Sequence, residues 1–365
     1  MLEVLREFTL AESPSTEKAA ADRCAEIIGA EWRKREVSVS LTPQTSRGNH
    51  IRIEWKPQNA KSAGQLLVLG HYDTVYATGT LQKMPFRISG ERVYGPGVFD
   101  MKAGIVQALF ALDALQQTSA RVEKQVVFLW TSDEEIGSQS SRELLEAEAR
   151  RSDAVFVMEP SLGPKGLLKT ARKGVGDAEL IVHGKASHAG LAPEDGINAV
   201  HELALQIAKM RAWNSARRGV TVNADVIQGG TRVNVIAERA RALIDLRALQ
   251  ISDMRSIEKK LRSLKPILRG AKLEVKGGFS RAPMERKISA ALFARARRLA
   301  AEMGVKLGEG TAGGGSDGNL TAALGVPTLD GLGAVGDGAH SADEHILVKK
   351  MPERAAILAA LLGNS

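Results

Sequence analysis

Imidazoles and carboxylates recur in five separate segments: His71 and Asp73 in HYDTV, Asp100 in GPGVFDMKAG, Glu134 and Glu135 in TSDEEIGS, Glu159 in MEPS, and His340 in GAHSADEH. Two adjacent glutamates alone usually mark a solvated helix face. The whole set, however, contains the parts of a hydrolytic two-metal centre. Cys24 is the only cysteine, which excludes an intrachain disulfide and any thiolate cluster. A metal here must therefore be held by nitrogen and oxygen. Two imidazoles with carboxylates and no sulfur suit zinc, with cobalt or manganese as alternatives.

Each residue has a distinct chemical use. His71 supplies one imidazole, and Asp73, two residues on, falls on the same side of an extended segment, placed to orient the ring through its other nitrogen. Asp100 offers two oxygens that can bridge two cations; its other reading is a helix N-cap. Glu135 and Glu159 serve as terminal ligands to opposite metals. His340, in a glycine-rich loop too polar for core packing, is the second imidazole. Glu134 is left for the chemistry. Two metals about 3.5–4 Å apart bring the pKa of a shared water toward about 7. Glu134 is the base that takes its proton and returns one to a leaving amine.

The apolar runs Gln65 to Gly70, Gln125 to Trp130 and Ala154 to Met158 read as strands covered on both faces, with candidate ligands just past their ends. Helical spacing covers residues 15 to 34, and KAGIVQALFALDALQQ places a further helix directly after Asp100. The fold class is α/β with a mainly parallel sheet, whose functional groups gather beyond the carboxyl ends of the strands. Near Lys173 the pattern changes to alternating segments (VGDAELIVHG, RGVTVNADVIQGG, RARALIDLRAL, AKLEVKGG) separated by two helical stretches. We therefore expect a catalytic domain from residues 1–172 and 283–365, interrupted by an α+β module at 173–282. A long helix, about Ser289 to Met303, should resume the first domain.

At 365 residues the chain is long enough for two domains, and its 44% apolar and 25% charged content is ordinary for a globular protein. No apolar run approaches the roughly 18 residues of a membrane span. In MLEVLREFTL, Glu3, Arg6 and Glu7 interrupt what would otherwise resemble a secretory leader. The expectation is a cytoplasmic protein outside the membrane. The net charge of +8 raises nucleic acid as a partner, but only 4% of residues are aromatic and the basic residues are scattered among acidic ones. Acidic small substrates make better use of the excess charge, and no nucleic-acid partner is expected.

On these motifs the chain resembles the co-catalytic di-zinc metallopeptidases, a family that includes glutamate carboxypeptidase, aminoacylase, succinyl-diaminopimelate desuccinylase and acetylornithine deacetylase. The likeness is greatest to the bacterial glutamate carboxypeptidase branch. It runs through HYDTVYATGTLQKMPFRISGERVYGPGVFDMKAG and resumes in TSDEEIGS, MEPS, HGKASHAG, APEDGINAV, TRVNVI, DLRA, AGGGSDGNL and GAHSADEH. The resemblance implies one zinc on His71, Asp100 and Glu159 and a second on Asp100, Glu135 and His340. It makes Glu134 the general base and Asp73 its supporting residue. It also implies a cis peptide bond at Asp100–Met101 and a homodimer formed through the inserted lid domain. In that dimer His188 reaches the partner's active site as an oxyanion donor. By the same resemblance Asn234, Arg247 and the backbone of Gly314 and Gly315 hold the substrate carboxylate. Read without the family, His188 is a loop histidine and Arg247 fits a strand-end salt bridge equally well. Met101 stands where the family often has a second acid and His345 lies outside the pattern, and by comparison with the family the amino terminus is expected to lack part of the first helix.

The expected function is zinc-dependent hydrolysis of an amide next to a free carboxylate, in a small peptide or N-acyl amino acid. A carboxypeptidase releasing a C-terminal amino acid such as glutamate is the leading form, because the resemblance associates Glu, rather than Asp, at position 159 with that branch. An N-acyl amino acid deacylase or desuccinylase is the neighbouring alternative. A catalytically idle metal-dependent binding protein is the alternative of another class.

Overall fold

The structure is a computed structural model and describes residues 1–58, 60 and 64–363. The chain divides into two compact units. The first comprises Met1–Ala171, Arg286–Ala312 and Ser316–Ser365, and the second Arg172–Glu285 with Gly313–Gly315.

A six-stranded sheet forms the first unit, in the order Ser38–Thr42, His50–Trp55, Gln125–Thr131, Gln65–His71, Ser152–Val157 and Thr328–Leu329. The last four are mutually parallel, whereas His50–Trp55 pairs antiparallel to both of its neighbours. Side-chain alternation sends Leu66, Val68, Phe128, Trp130 and Phe156 into one core, with Trp32, Ile105, Leu109, Phe293 and Leu358 from the covering helices. Leu67, Leu69, Val127, Leu129, Val155 and Val157 go to the other face, against Leu145, Ala149 and Leu320. Two buried faces explain why these strands are continuous apolar runs. Each buried Leu or Val contributes roughly 1.5–3 kcal/mol relative to exposure.

Register sets the level of the site. His71 pairs with Thr131 and Leu69 with Val157, so the residues following all three strands leave the sheet at one edge.

The second unit is a four-stranded antiparallel sheet, in the order Thr221–Gly229, Arg239–Ala248, Gly174–His183 and Lys272–Arg281. Helices Ala199–Arg211 and Ile251–Arg262 supply Leu203, Ile257 and Leu261 to its core, where they meet Leu180, Val182, Ile244 and Leu246. Gly313–Gly315 is grouped with this unit, and the Arg172 guanidinium donates to the carbonyls of Gly314 and Gly315 (3.1 Å each).

Local boundaries differ from the sequence expectation for identifiable reasons. The helix expected from residue 15 spans Lys18–Trp32, because the Ser15 hydroxyl donates to Asp73 Oδ2 (2.7 Å) and the Pro14 backbone bridges to Thr74. A helix not anticipated from the pattern, Leu2–Leu10, places Leu5 and Phe8 in the first core. The long helix after Pro283 starts at Arg286 and runs to Glu302. Among the described residues, no helix is long and apolar enough to cross a membrane.

Candidate metal centre

At the end of the strand Gln65–His71, the His71 ring is buried and its Nδ1 lies 3.0 Å from the Asp73 main-chain carbonyl. That contact puts a proton on Nδ1 and turns Nε2 toward the carboxylates. His71 Nε2 is 3.2 Å from Asp100 Oδ1 and 3.4 Å from Glu159 Oε1. His340 Nε2 is 3.5 Å from Asp100 Oδ2 and 3.2 Å from Glu135 Oε2. Asp100 thus lies between two imidazoles and turns one oxygen to each. Glu134 also belongs to the cluster: a carboxylate oxygen of Glu134, one of Glu159 and a His71 nitrogen all lie within 4.8 Å of one another.

The supporting contacts are built from the same short segments. Asp73 Oδ1 and Oδ2 accept the backbone N–H groups of Glu134 and Glu135 (3.2 Å each). Its carboxylate also lies 3.4 Å from His71 Nδ1. One buried residue therefore stands behind the imidazole and holds the Glu134–Glu135 backbone, a second task that spacing alone did not suggest. Asp133 Oδ2 accepts the N–H and hydroxyl of Ser140 (2.6 and 2.8 Å), closing the loop that carries both glutamates. Asp100 follows Gly97, whose φ of +73° is left-handed backbone that favours glycine. The Asp100–Met101 peptide bond is cis. Asp100 is not the N-cap of Ala103–Gln117; Lys102 occupies that position, and no side chain caps the helix there.

Two contributors were not evident from the sequence. Lys169, nearly buried, places Nζ 3.5 Å from Glu159 Oε2, the oxygen not directed at His71. Glu344 is fully buried and accepts backbone N–H groups from the turn that carries Asp100. Neither has a signature in the chain, where a lysine in a strand and an acid in a polar loop both read as solvated.

The electrostatics call for a cation. Burial disfavours a charged Asp100, yet His340 and His71 together hold its carboxyl well below the usual carboxylate range. Burial likewise opposes the His71 imidazolium, but Asp100, Asp73 and Glu159 raise it well above the ordinary value. Asp100 and Glu135 push His340 up to about 10 against partial burial. Burial raises the Glu135 carboxyl. Five carboxylates (Asp73, Asp100, Glu134, Glu135 and Glu159) gather around two imidazoles, and His71 Nε2, Asp100 Oδ1 and Glu135 Oε1 are buried without a hydrogen bond. Buried polar atoms are normally bonded; converging nitrogen and oxygen atoms left unbonded fit cation ligands. The residues present therefore suit a pair of borderline metal ions.

The other residues expected from the sequence lie in the second unit. His188 is exposed, and its Nδ1 accepts the N–H groups of Gly190 and Leu191 (3.1 Å each), which puts the ring proton on Nε2. Asn234 is exposed beside it, its carbonyl accepting the Ala189 N–H (3.0 Å). Arg247 forms an ion pair with Asp245 through Nε and Nη2 (2.9 and 2.8 Å), the strand-end pairing that its position also allowed.

Sheet and loop cluster define an α/β protein with a buried group of nitrogen and oxygen atoms that could hold metal ions. The model of peptidase family M20/M25/M40 matches residues 67–364. Carboxypeptidase G2 of Pseudomonas sp. (strain RS-16) is 31% identical over 323 residues, covering 86% of this chain and 76% of the relative. A succinyl-diaminopimelate desuccinylase of Paraburkholderia xenovorans (strain LB400) is 28% identical over 339 residues, covering 86% and 87%. Among solved structures, aminopeptidase PepT of Bacillus cereus superposes with a TM-score of 0.83 at 21% identity, covering 100% of this chain and 98% of that one; it shares the fold. The chain belongs to peptidase family M20/M25/M40, and it is an enzyme that hydrolyses peptide or amide bonds.

Proposed function

We propose a di-zinc carboxypeptidase that cleaves the amide next to a free α-carboxylate and releases a C-terminal amino acid such as glutamate. The observation that carries the metal assignment is Asp100 between two imidazoles, one oxygen to each. His71, Asp100 and Glu159 would hold one ion, and Asp100, Glu135 and His340 the other. Zinc ions held there supply Lewis-acid polarisation of the scissile carbonyl and a water that is nucleophilic near neutral pH. Glu134, beside His71 and Glu159, takes the proton from the attacking water on its carboxylate and delivers it to the departing amine nitrogen. Asp73 keeps Glu134 aimed by holding its backbone N–H.

The second unit supplies the substrate contacts in this reading. Arg247 exchanges Asp245 for the substrate carboxylate, a planar fork-to-carboxylate match, with Asn234 and the Gly314–Gly315 backbone as further contacts. In a homodimer, His188 of one protomer donates from Nε2 to the oxyanion developing in the other. The likeness to Carboxypeptidase G2 favours release of the C-terminal residue. The likeness to the desuccinylase keeps an N-acyl amino acid deacylase as the second reading.

The test is a panel of dipeptides and N-acyl amino acids given to zinc-loaded protein, with Glu134→Ala alongside. One released amino acid across many acyl groups is the expected result, with Glu134→Ala inert yet carrying its full zinc. Strict dependence on one acyl group would move the assignment to the deacylase, and turnover retained in Glu134→Ala would remove its role as base.

A further inference from the structure

Two ligand-bearing loops, far apart in sequence, meet at one buried side chain. Glu344 Oε1 accepts the N–H groups of Phe99 (2.7 Å) and Asp100 (3.0 Å), and Oε2 accepts the N–H of Gly97 (3.1 Å). All three donors belong to the turn that presents Asp100. Glu344 itself lies four residues beyond His340, and its own N–H donates to the Ser341 carbonyl (3.2 Å), closing the loop that presents the imidazole. The Gly95 N–H reaches the Glu344 carbonyl (3.4 Å), and the Tyr76 hydroxyl donates to the Ser341 carbonyl (3.0 Å). His340 sits at a φ of +61°, in a left-handed turn that the loop's own contacts must maintain.

We propose that Glu344 is a positioning residue for the metal pair, setting the distance between Asp100 and His340 by binding the Asp100 turn through its carboxylate and the His340 loop through its backbone. This rests on the reading that Asp100, Glu135 and His340 share one metal. His71 and Glu159 come from strand ends whose level is set by the sheet, so the site they share with Asp100 depends on Glu344 through that one ligand. His340 lies away from that sheet, in the loop between the short paired strands Gly336–Asp337 and His345–Leu347, with both metals' shared ligand on a different turn. A buried carboxylate that accepts three main-chain N–H groups is the rigid element that brings it to the bridge. A glutamine here would turn one acceptor oxygen into an N–H donor facing N–H donors, opening the turn without deleting volume.

The experiment is calorimetric titration of zinc into the metal-free full chain, comparing wild type, Glu344→Gln and, as a destabilised control, Leu358→Ala in the core. Partners behind metal ligands typically affect affinity by about 10- to 100-fold. Glu344→Gln should weaken the zinc site that includes His340 by that factor, and the site of His71 and Glu159, which shares only Asp100 with it, by less. Leu358→Ala should bind both as wild type does. Wild type that fails to take up two zinc ions would reject the metal-pair reading itself. Wild type taking up two, with Glu344→Gln unchanged or with both variants equally weakened, would overturn only the role of Glu344. Should Glu344→Gln not fold, Tyr76→Phe removes the hydroxyl that ties the His340 loop and should weaken the site that includes His340; unchanged affinity there would reject the proposal.

Discussion

At the residue scale, the site depends on carboxylates used twice. Asp73 stands against His71 while its oxygens receive the N–H groups of Glu134 and Glu135 and the Ser15 hydroxyl. Asp73→Asn replaces one acceptor by a donor facing a donor, and an unsatisfied buried group costs about 1–3 kcal/mol. Two outcomes are expected together: an unfolding free energy in urea lowered by that amount, and a fall in kcat at saturating zinc, because the ligand atoms remain while the base loses its aim. A variant with normal kcat would show that Glu134 needs no backbone anchor. The sequence pointed to Asp73 through its spacing from His71. Nothing in that spacing indicated which donors its oxygens would receive, since those come from a segment some sixty positions later.

At the element scale, the centre depends on how closely the helix Ala103–Gln117 packs against the strand end at Met158. A Cβ on Gly104 would lie 2.3 Å from the Met158 carbonyl oxygen. Alanine gains about 1 kcal/mol of helix propensity over glycine, whereas overpacking a tight contact costs about 1–3 kcal/mol. The clash involves backbone, so it should win. Gly104→Ala is expected to destabilise and to displace Glu159, read by denaturation and zinc content; a stabilised variant would contradict the packing account. The loop after the strand Gln125–Thr131 is clasped by His50, whose Nδ1 and Nε2 lie 3.2 and 3.3 Å from the Ser132 and Ser140 hydroxyls. Burial holds His50 below its ordinary value of 6.5. The unfolded chain takes up this proton near pH 6.5 and the native state only at lower pH, so the unfolded state binds more protons in that window. Stability should therefore fall as the pH drops through about 6.5, and His50→Gln should flatten that part of the curve. Identical wild-type and His50→Gln curves in urea would show that the clasp does not titrate.

At the scale of the whole molecule, charge is unevenly divided. The second unit holds twenty Lys and Arg against twelve Asp and Glu, so the net +8 of the chain resides there while the first unit is balanced. The unit with the proposed carboxylate contacts is therefore the one with the field to attract anionic substrates. The proposed homodimer makes His188 a residue of the partner's site. Sedimentation of the intact chain should give twice the monomer mass, and His188→Ala should lower kcat while leaving zinc content and the dimer intact. A monomer with full activity would return His188 to an ordinary loop residue.

Much of the protein was legible in its chain because the relevant signals are local. Doubly buried strands are written as apolar runs, and a ligand at a strand end follows its run directly; thus the α/β class and the strand-end group of His71, Glu134, Glu135 and Glu159 came from pattern. A single cysteine is enough to exclude a thiolate cluster. What only the tertiary structure decided are contacts between segments distant in sequence: the two faces that Asp100 presents to two imidazoles, the double use of Asp73, Lys169 behind Glu159, and Glu344 beneath the Asp100 turn. A carboxylate in a loop looks solvated in any sequence. Burial and main-chain donors brought from elsewhere make it structural, and both exist only once the chain has folded.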